Sequence, residues 1–140
     1  MIEIAAAHAR SSAPAGAYFA RWVDHATWPE WSPDTDWVRI DGPVRTGATG
    51  ALKPRGGPKV KIVVRACEPG REYTDEARFP GARLTFQHTV APVGDGVELG
   101  VRVGITGPLA RLWAAVLGKG FRTSVQPDLD RLVALVERAA

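Results

Sequence analysis

The chain has 140 residues, of which 45% are hydrophobic and 24% charged, and its formal net charge is +3. These values are typical of one soluble globular domain that is long enough to bury a core. No stretch approaches the roughly 18 uncharged apolar residues of a membrane span, which argues against insertion into a membrane. We therefore expect a single domain over residues 1–140.

Several features argue against common functional classes. Cys67 is the one cysteine, and residues 1–9 lack the pattern of a signal peptide; both observations favour a cytoplasmic location. The three histidines lie far apart in sequence without a second ligand at a metal-binding spacing, so we expect no metal and no cofactor. A basic cluster without interleaved aromatic residues is typical of a solvated loop and predicts no nucleic-acid partner. It comprises Lys53, Arg55, Lys59, Lys61 and Arg65.

The N-terminal part predicts a strand followed by a helix. Residues 1–8 alternate weakly in polarity, as a strand does. Ser11 and Ser12 then precede an Ala-Pro pair that is typical of a serine-capped helix start. We expect this helix to run to about His25. Two prolines within residues 28–33 leave room for at most a short turn.

The middle of the chain predicts about six strands joined by tight turns. Apolar and polar residues alternate over residues 60–68 and, most regularly, over residues 97–105. A Pro-Gly pair separates residues 72–79 from residues 82–91, as in a hairpin. Weaker strands are expected near residues 37–40 and 48–53. Since strands and helices do not alternate, the pattern argues against a parallel doubly wound fold.

The last part, residues 108–140, predicts a long helix with two apolar faces. Its first apolar group, residues 109–117, projects roughly opposite to the second, residues 121–136. Gly118 and Gly120 weaken the helix between the two groups, so it either bends there or buries two faces. We expect the first half to roof a cavity and the second to pack on a sheet. The glycines would then form a hinge or a ligand portal.

Short motifs occur in a characteristic order along the whole chain. They are Ser-Ala-Pro at residues 12–14, Trp-Pro-x-Trp at 28–31, Glu-Pro-Gly-Arg at 68–71, Phe-x-His-Thr-Val at 86–90 and Gly-Val-Glu-Leu at 96–99. This order resembles the polyketide cyclase/dehydrase group of the START-like (SRPBCC) superfamily. The resemblance implies an α+β helix-grip fold, in which a curved antiparallel sheet of about seven strands wraps around the long C-terminal helix. Members bind lipids, sterols or polyketides in the enclosed cavity, and some catalyse cyclisation or dehydration there.

A two-residue turn at residues 80–81 would set the register of the predicted hairpin. Tyr73 then faces His88, Asp75 faces Phe86, and Asp75 lies diagonal to His88. Their shared face is otherwise apolar, so we expect it to be concave. We predict a polar cavity cluster, in which Asp75 orients His88 and favours its charged form. If the cavity is catalytic, His88 would shuttle protons and Tyr73 would donate a hydrogen bond. The alternative is a hydrogen-bonded core or rim cluster without catalysis.

Aromatic side chains supply a candidate ligand site. Four of the five tryptophans lie within residues 22–37, where they form either an aromatic core or the mouth of a cavity that stacks on a ring-bearing ligand. The predicted lining comprises Trp28, Trp31, Leu84, Phe86, Val101, Trp113 and Leu117. By contrast, Arg65, Arg83 and Arg102 alternate with apolar positions and should lie on the outer face.

These features favour a monomer or homodimer that binds a small hydrophobic, ring-containing lipid or polyketide-like metabolite. Whether it also catalyses an acid/base cyclisation or dehydration stays open. One alternative is a non-catalytic carrier or sensor with a large apolar cavity. Another is a co-chaperone-like interaction module, which should have a filled core and an exposed apolar patch.

Overall fold

The computed structural model describes residues 1–139, which form seven strands and three helical segments. In chain order these are β1 (Ile2–Ser11), α1 (Ala15–Val23), a 3₁₀ helix (His25–Glu30), β2 (Thr35–Ile40), β3 (Thr49–Pro54), β4 (Val60–Glu68), β5 (Glu72–Phe79), β6 (Ala82–Val93), β7 (Gly96–Thr106) and α2 (Ala110–Ala139). Ala140, the predicted end of the domain and of the last helix, lies outside the described residues.

All seven strands form one antiparallel sheet in the order β1-β7-β6-β5-β4-β3-β2. Strands β2 to β7 follow one another as a meander, and β1 pairs with β7. The β5–β6 hairpin has the predicted register, with Tyr73 opposite His88 and Phe79 opposite Ala82. Gly81 has a φ of +73°, the left-handed conformation that a two-residue turn requires. The predicted α+β helix-grip fold is therefore confirmed.

The C-terminal helix α2 is continuous through its predicted weak point. It runs past Gly118, Gly120 and Pro127 without a break. Gln126 holds this region on the sheet, because its side-chain amide donates to the His8 carbonyl at 2.9 Å and accepts from the His8 N–H at 3.2 Å. Tertiary contacts thus outweigh the low local helix propensity. None of the described helices is long and apolar enough to cross a membrane.

The two halves of α2 pack very differently. In the second half Val125, Leu129, Leu132 and Val136 are buried. In the first half, Trp113 and Leu117 pack against the core. The other apolar side chains of that half face solvent, with 44% of Leu109, 58% of Leu112 and 62% of Val116 exposed. The prediction that all of residues 109–117 roof a cavity is wrong for Leu112 and Val116, because helical spacing turns them away from the sheet. Leu109 precedes the helix and lies over Gly81 at the β5–β6 turn, so it does not roof a cavity either.

The start of α1 also differs from the prediction. The helix begins after Pro14, and no side chain caps it. Ser11 ends β1 instead, where its hydroxyl accepts hydrogen bonds from the Ala13 N–H and the Tyr18 hydroxyl and donates to Glu137 at 2.8 Å. The predicted serine cap is therefore wrong, since Ser11 connects β1 and α1 to the end of α2.

Candidate functional site

A polar cluster lies on the concave face, across β5 and β6. Tyr73, Asp75 and His88 share this face, as predicted, and only 0%, 2% and 6% of their surfaces are exposed. The outer face carries the arginines that were expected there: Arg65 and Arg102 are exposed and pair with acidic side chains. The structure therefore brings the three predicted polar residues together in the core, and their catalytic roles stay a prediction.

The segment after α1 covers this cluster with aromatic rings. The 3₁₀ helix buries His25 and Trp28, while Trp22 and Trp31 lie on either side of it and are also buried. The ring centroids of Trp22, Trp28 and Trp31 lie 5.5, 6.1 and 6.4 Å from that of His88. Trp28 and Trp31 are 5% exposed and belong to the core, so of the two alternatives the aromatic core is correct and the cavity mouth is wrong.

Hydrogen bonds join the histidines to Tyr73. The Tyr73 hydroxyl lies 2.7 Å from Nε2 of His25 and donates to it when the neutral imidazole carries its proton on Nδ1. Nδ1 of His88 lies 3.2 Å from the Tyr73 carbonyl oxygen and donates to it. His25 is not among the site residues that the sequence predicts. In the sequence, the one hint of its role is that it lies within the tryptophan-rich segment. Periodicity alone does not predict that this segment packs on the sheet.

Burial sets the charge of both imidazoles. Loss of hydration lowers the pKa of His25 and of His88 to about 4, so both are neutral at pH 7. The prediction that Asp75 orients His88 and favours its charged form is therefore wrong. His88 bonds to the Tyr73 carbonyl instead, and desolvation dominates its pKa.

Asp75 titrates at a higher pH than either histidine. Burial raises its pKa to about 7, and the Tyr73 side chain opposes this shift. Burial, together with the Asp75 carboxylate, raises the pKa of Tyr73, so the phenol stays protonated. Asp75 is thus the member of the cluster that exchanges a proton near neutral pH. No group of three or more metal-ligating side chains occurs within residues 1–139.

Three polar atoms of this region are buried without a hydrogen-bond partner among the described residues. They are Nε1 of Trp22, Nε1 of Trp31 and Oδ2 of Asp75. A buried donor or acceptor left unpaired costs about 1–3 kcal/mol. Two donors and one acceptor beside a wall of aromatic rings can be satisfied by a flat molecule that carries hydroxyl or carbonyl groups.

The other predicted lining residues extend along the concave face. Leu84 and Val101 are 1% and 8% exposed. Phe86 is half-buried, and its ring lies edge-on to that of Phe121 at 5.3 Å. These side chains fill the space between the sheet and α2 near the middle of the hairpin. They belong to the core and can contact a ligand only if that space opens.

Trp113 lies toward the β5–β6 turn, away from the polar cluster, and Leu117 packs against the core. The Trp113 ring contacts Phe79 at 5.0 Å, and its Nε1 donates to the Pro80 carbonyl at 2.8 Å. Six residues of β6, or about 20 Å, separate this turn from His88. The prediction that Trp113 and the tryptophan-rich segment flank a common cavity mouth is therefore wrong.

Two of the surface pockets lie outside the space under α2. One of about 150 Å³ lies on the outer face of the sheet beside Thr74 and Arg102. The other, of about 370 Å³, lies beside Asp95 and Glu137, near the β6–β7 turn and the end of α2. Because the side chains beneath α2 pack in the core, a ligand placed among them would have to displace these side chains or part of the helix.

Comparison with known proteins identifies the family. Residues 4–137 match the family model described as polyketide cyclase / dehydrase and lipid transport. The chain belongs to this family. One structure similar to this cyclase/dehydrase-family domain is StfQ, a di-domain ARO/CYC from the steffimycin biosynthetic pathway. The TM-score is 0.78 at 14% identity, and the match covers 96% of this chain and 50% of StfQ. The domain therefore spans half the length of StfQ.

Two bacterial structures match the cyclase/dehydrase-family domain over almost their whole length. A protein from Thermus thermophilus has a TM-score of 0.72 at 14% identity, with 97% of this chain and 98% of that one covered. A protein from Mesorhizobium loti has a TM-score of 0.71 at 16% identity, with 96% and 97% covered. No curated protein sequence is detectably similar to the chain. At these identities the structural matches show the fold alone.

Proposed function

We propose that this domain binds a small hydrophobic molecule with fused or adjacent rings that carry hydroxyl or carbonyl groups. The observation that carries the proposal is the set of unpaired buried atoms on Trp22, Trp31 and Asp75. A ring oxygen would accept from an indole N–H, and a ring hydroxyl would donate to Asp75. Membership of the polyketide cyclase / dehydrase family and the similarity to an ARO/CYC protein support this class of ligand.

Access to the site would involve the first half of α2. That half leaves Leu112 and Val116 largely in solvent, so lifting it from the sheet exposes little additional apolar surface from these two residues. The second half, by contrast, is anchored by the buried Leu129 and Leu132. Gly118 and Gly120 lie between the two halves and lower the cost of local unwinding by about 1 kcal/mol each relative to alanine. This difference supports a hinge at the glycines.

The same cluster could support acid/base chemistry on the bound molecule. Asp75 has a pKa of about 7, so it can donate a proton to a departing hydroxyl or remove one from a carbon beside a carbonyl. The Tyr73 hydroxyl would donate its single proton to a substrate oxygen when Nε2 of His25 carries the imidazole proton and donates to the phenol oxygen at 2.7 Å. His88, with a pKa of about 4, is a weaker base at neutral pH. We therefore assign proton exchange to Asp75.

Binding can be tested with alizarin and naphthol as fused-ring phenols and with palmitate as an aliphatic probe, by isothermal titration calorimetry. Trp31→Phe keeps an aromatic ring at this position but removes the unpaired indole N–H. The loss of this donor should weaken alizarin binding by about fivefold, or ~1 kcal/mol. Asp75→Asn should weaken it by about tenfold or more. Trp37→Phe is the matched control, since Trp37 is 36% exposed on β2. Equal losses in all three variants, or no binding of the phenols, would refute the proposal. Binding of palmitate alone would favour a lipid carrier.

A further inference from the structure

The first half of α2 exposes an apolar stripe. Leu109, which precedes the helix, and Leu112 and Val116 follow one another at three- and four-residue spacing on one side of it. They are 44%, 58% and 62% exposed. The neighbouring side of the same segment, with Trp113 and Leu117, packs on the core. Three of the six large hydrophobic residues that are exposed within residues 1–139 therefore lie in one row.

The stripe is bordered by positive charge. At about 100° per residue, Lys119 projects beside Leu112, while Arg111 and Arg122 lie about 80–100° further round from Leu112, between the stripe and the buried Gly118. All three are exposed. None of them forms an ion pair within the described part of the chain. Residues 107–127 contain no aspartate or glutamate.

A second group of cations lies at the same end of the sheet. The backbone N–H of Leu109 donates to the Gly81 carbonyl at 2.9 Å, which places the start of α2 at the β5–β6 turn. Ile62 pairs with Ala77, so the turn between β3 and β4 reaches the same end. That turn and the strand after it carry basic residues without an ion-pair partner in residues 1–139; they are Arg55, Lys59 and Lys61.

Of the acidic residues near this end, Asp34 is exposed beside Arg55, whose backbone N–H donates to the Asp34 carbonyl at 2.7 Å, while Asp36 and Glu76 are engaged in ion pairs. Asp36 pairs with Lys53 at 3.2 Å. Glu76 lies on the outer face between Arg65 and Arg78, at 3.0 and 3.4 Å. The end of the molecule around the stripe thus combines exposed apolar side chains with uncompensated positive charge.

We propose that this end of the molecule docks on an anionic lipid surface, with the first half of α2 lying in the plane of the membrane interface. The stripe of Leu109, Leu112 and Val116 would enter the boundary between headgroups and acyl chains. The flanking cations would contact lipid phosphates. A nucleic acid would also attract these cations, but it offers no apolar layer for the three exposed side chains. The proposal concerns surface adsorption and is independent of the ligand site.

Flotation with vesicles tests the docking. The full chain should float with vesicles of equal parts phosphatidylcholine and phosphatidylglycerol, and should not float with phosphatidylcholine alone. Because each cation near an anionic surface contributes about fivefold in affinity, Lys119→Gln with Arg122→Gln should weaken binding by about thirtyfold. Leu112→Ser with Val116→Ser should weaken it by about tenfold, through lost apolar insertion. All four positions are exposed or at a helix surface, so folding is verified in each variant by its circular dichroism.

The matched control removes the same charge elsewhere. Arg45→Gln with Arg138→Gln changes two exposed arginines, in the β2–β3 connection and in the last turn of α2. This pair should leave vesicle binding within about twofold. The proposal is overturned if anionic vesicles do not bind or if the control pair weakens binding as much as the α2 pair. The proposal is also overturned if the variant with Leu112→Ser and Val116→Ser binds anionic vesicles as tightly as the parent protein. Tighter binding of the parent protein to a short DNA duplex than to the vesicles would overturn it as well.

Discussion

The ionisation of Asp75 should make the stability of this domain fall as the pH rises toward neutrality. Its carboxyl group is 2% exposed and has a pKa of about 7, against an ordinary value of 3.8. Between these values the unfolded chain has released a proton that the folded chain retains. The unfolded state then binds fewer protons, so stability declines with pH in this window. The cost is absent below about pH 3.8 and complete above about pH 7.

Asp75→Asn should remove this dependence. A shift of about three pH units corresponds to about 4 kcal/mol, at 1.36 kcal/mol per unit. Between pH 5 and pH 8, the free energy of unfolding of the variant should therefore gain about 3 kcal/mol on that of the parent protein. His25 and His88 act in the opposite sense, since their pKa values are lowered to about 4 and stability is lost as the pH falls from 6.5 toward 4. Both proteins contain them, so they cancel in the difference.

Urea unfolding at a series of pH values, followed by circular dichroism, measures this difference. Asp95→Asn is the control, because it removes an exposed carboxylate in the β6–β7 turn. We expect it to change stability by less than about 0.5 kcal/mol. A stability difference between Asp75→Asn and the parent that stays constant from pH 5 to pH 8 would show that Asp75 ionises normally. The assignment of proton exchange to this residue would then fail.

Further substitutions test the core, the cluster and the hairpin by the same unfolding assay. Leu132→Ala at a position 1% exposed should cost about 3 kcal/mol, and Leu112→Ala at one 58% exposed should cost less than about 1 kcal/mol; similar losses would contradict the assigned packing of α2. Tyr73→Phe removes the 2.7 Å bond to a buried imidazole and should cost about 1–3 kcal/mol, so an unchanged midpoint would argue against that bond. Gly81→Ala should cost more than about 1 kcal/mol, since φ is +73° and the added carbon would lie 2.6 Å from Leu109; a neutral result would mean that the turn is misplaced.

The sheet and the β5–β6 register could be predicted from sequence because both follow from local rules. Alternating polarity identifies the strands, and a Pro-Gly pair between two such runs sets which residues face each other. Once the register is known, Tyr73, Asp75 and His88 must lie on one face. The family resemblance then supplied the position of the long helix relative to the sheet, and the family match and the fold confirm it.

What could not be predicted depends on contacts between distant segments. His25 reaches Tyr73 only because the 3₁₀ helix folds over the concave face, and no periodic pattern encodes that docking. The pKa of His88 depends on how completely the tryptophans exclude water, which its sequence neighbours do not specify. The continuity of α2 past Pro127 likewise rests on contacts with β1 that are remote in sequence.

The central claim, that the buried cluster is the polar end of a ring-binding site, is tested most directly by the indole N–H resonances of the five tryptophans. Alizarin is added to ¹⁵N-labelled protein, and each resonance is assigned by a single Trp→Phe substitution. We predict saturable shifts of the Trp22 and Trp31 resonances as their unpaired N–H groups gain an acceptor, while Trp37 on β2 stays unchanged. Saturable binding that moves only the Trp37 or Trp113 resonance would place the ligand elsewhere and contradict the account.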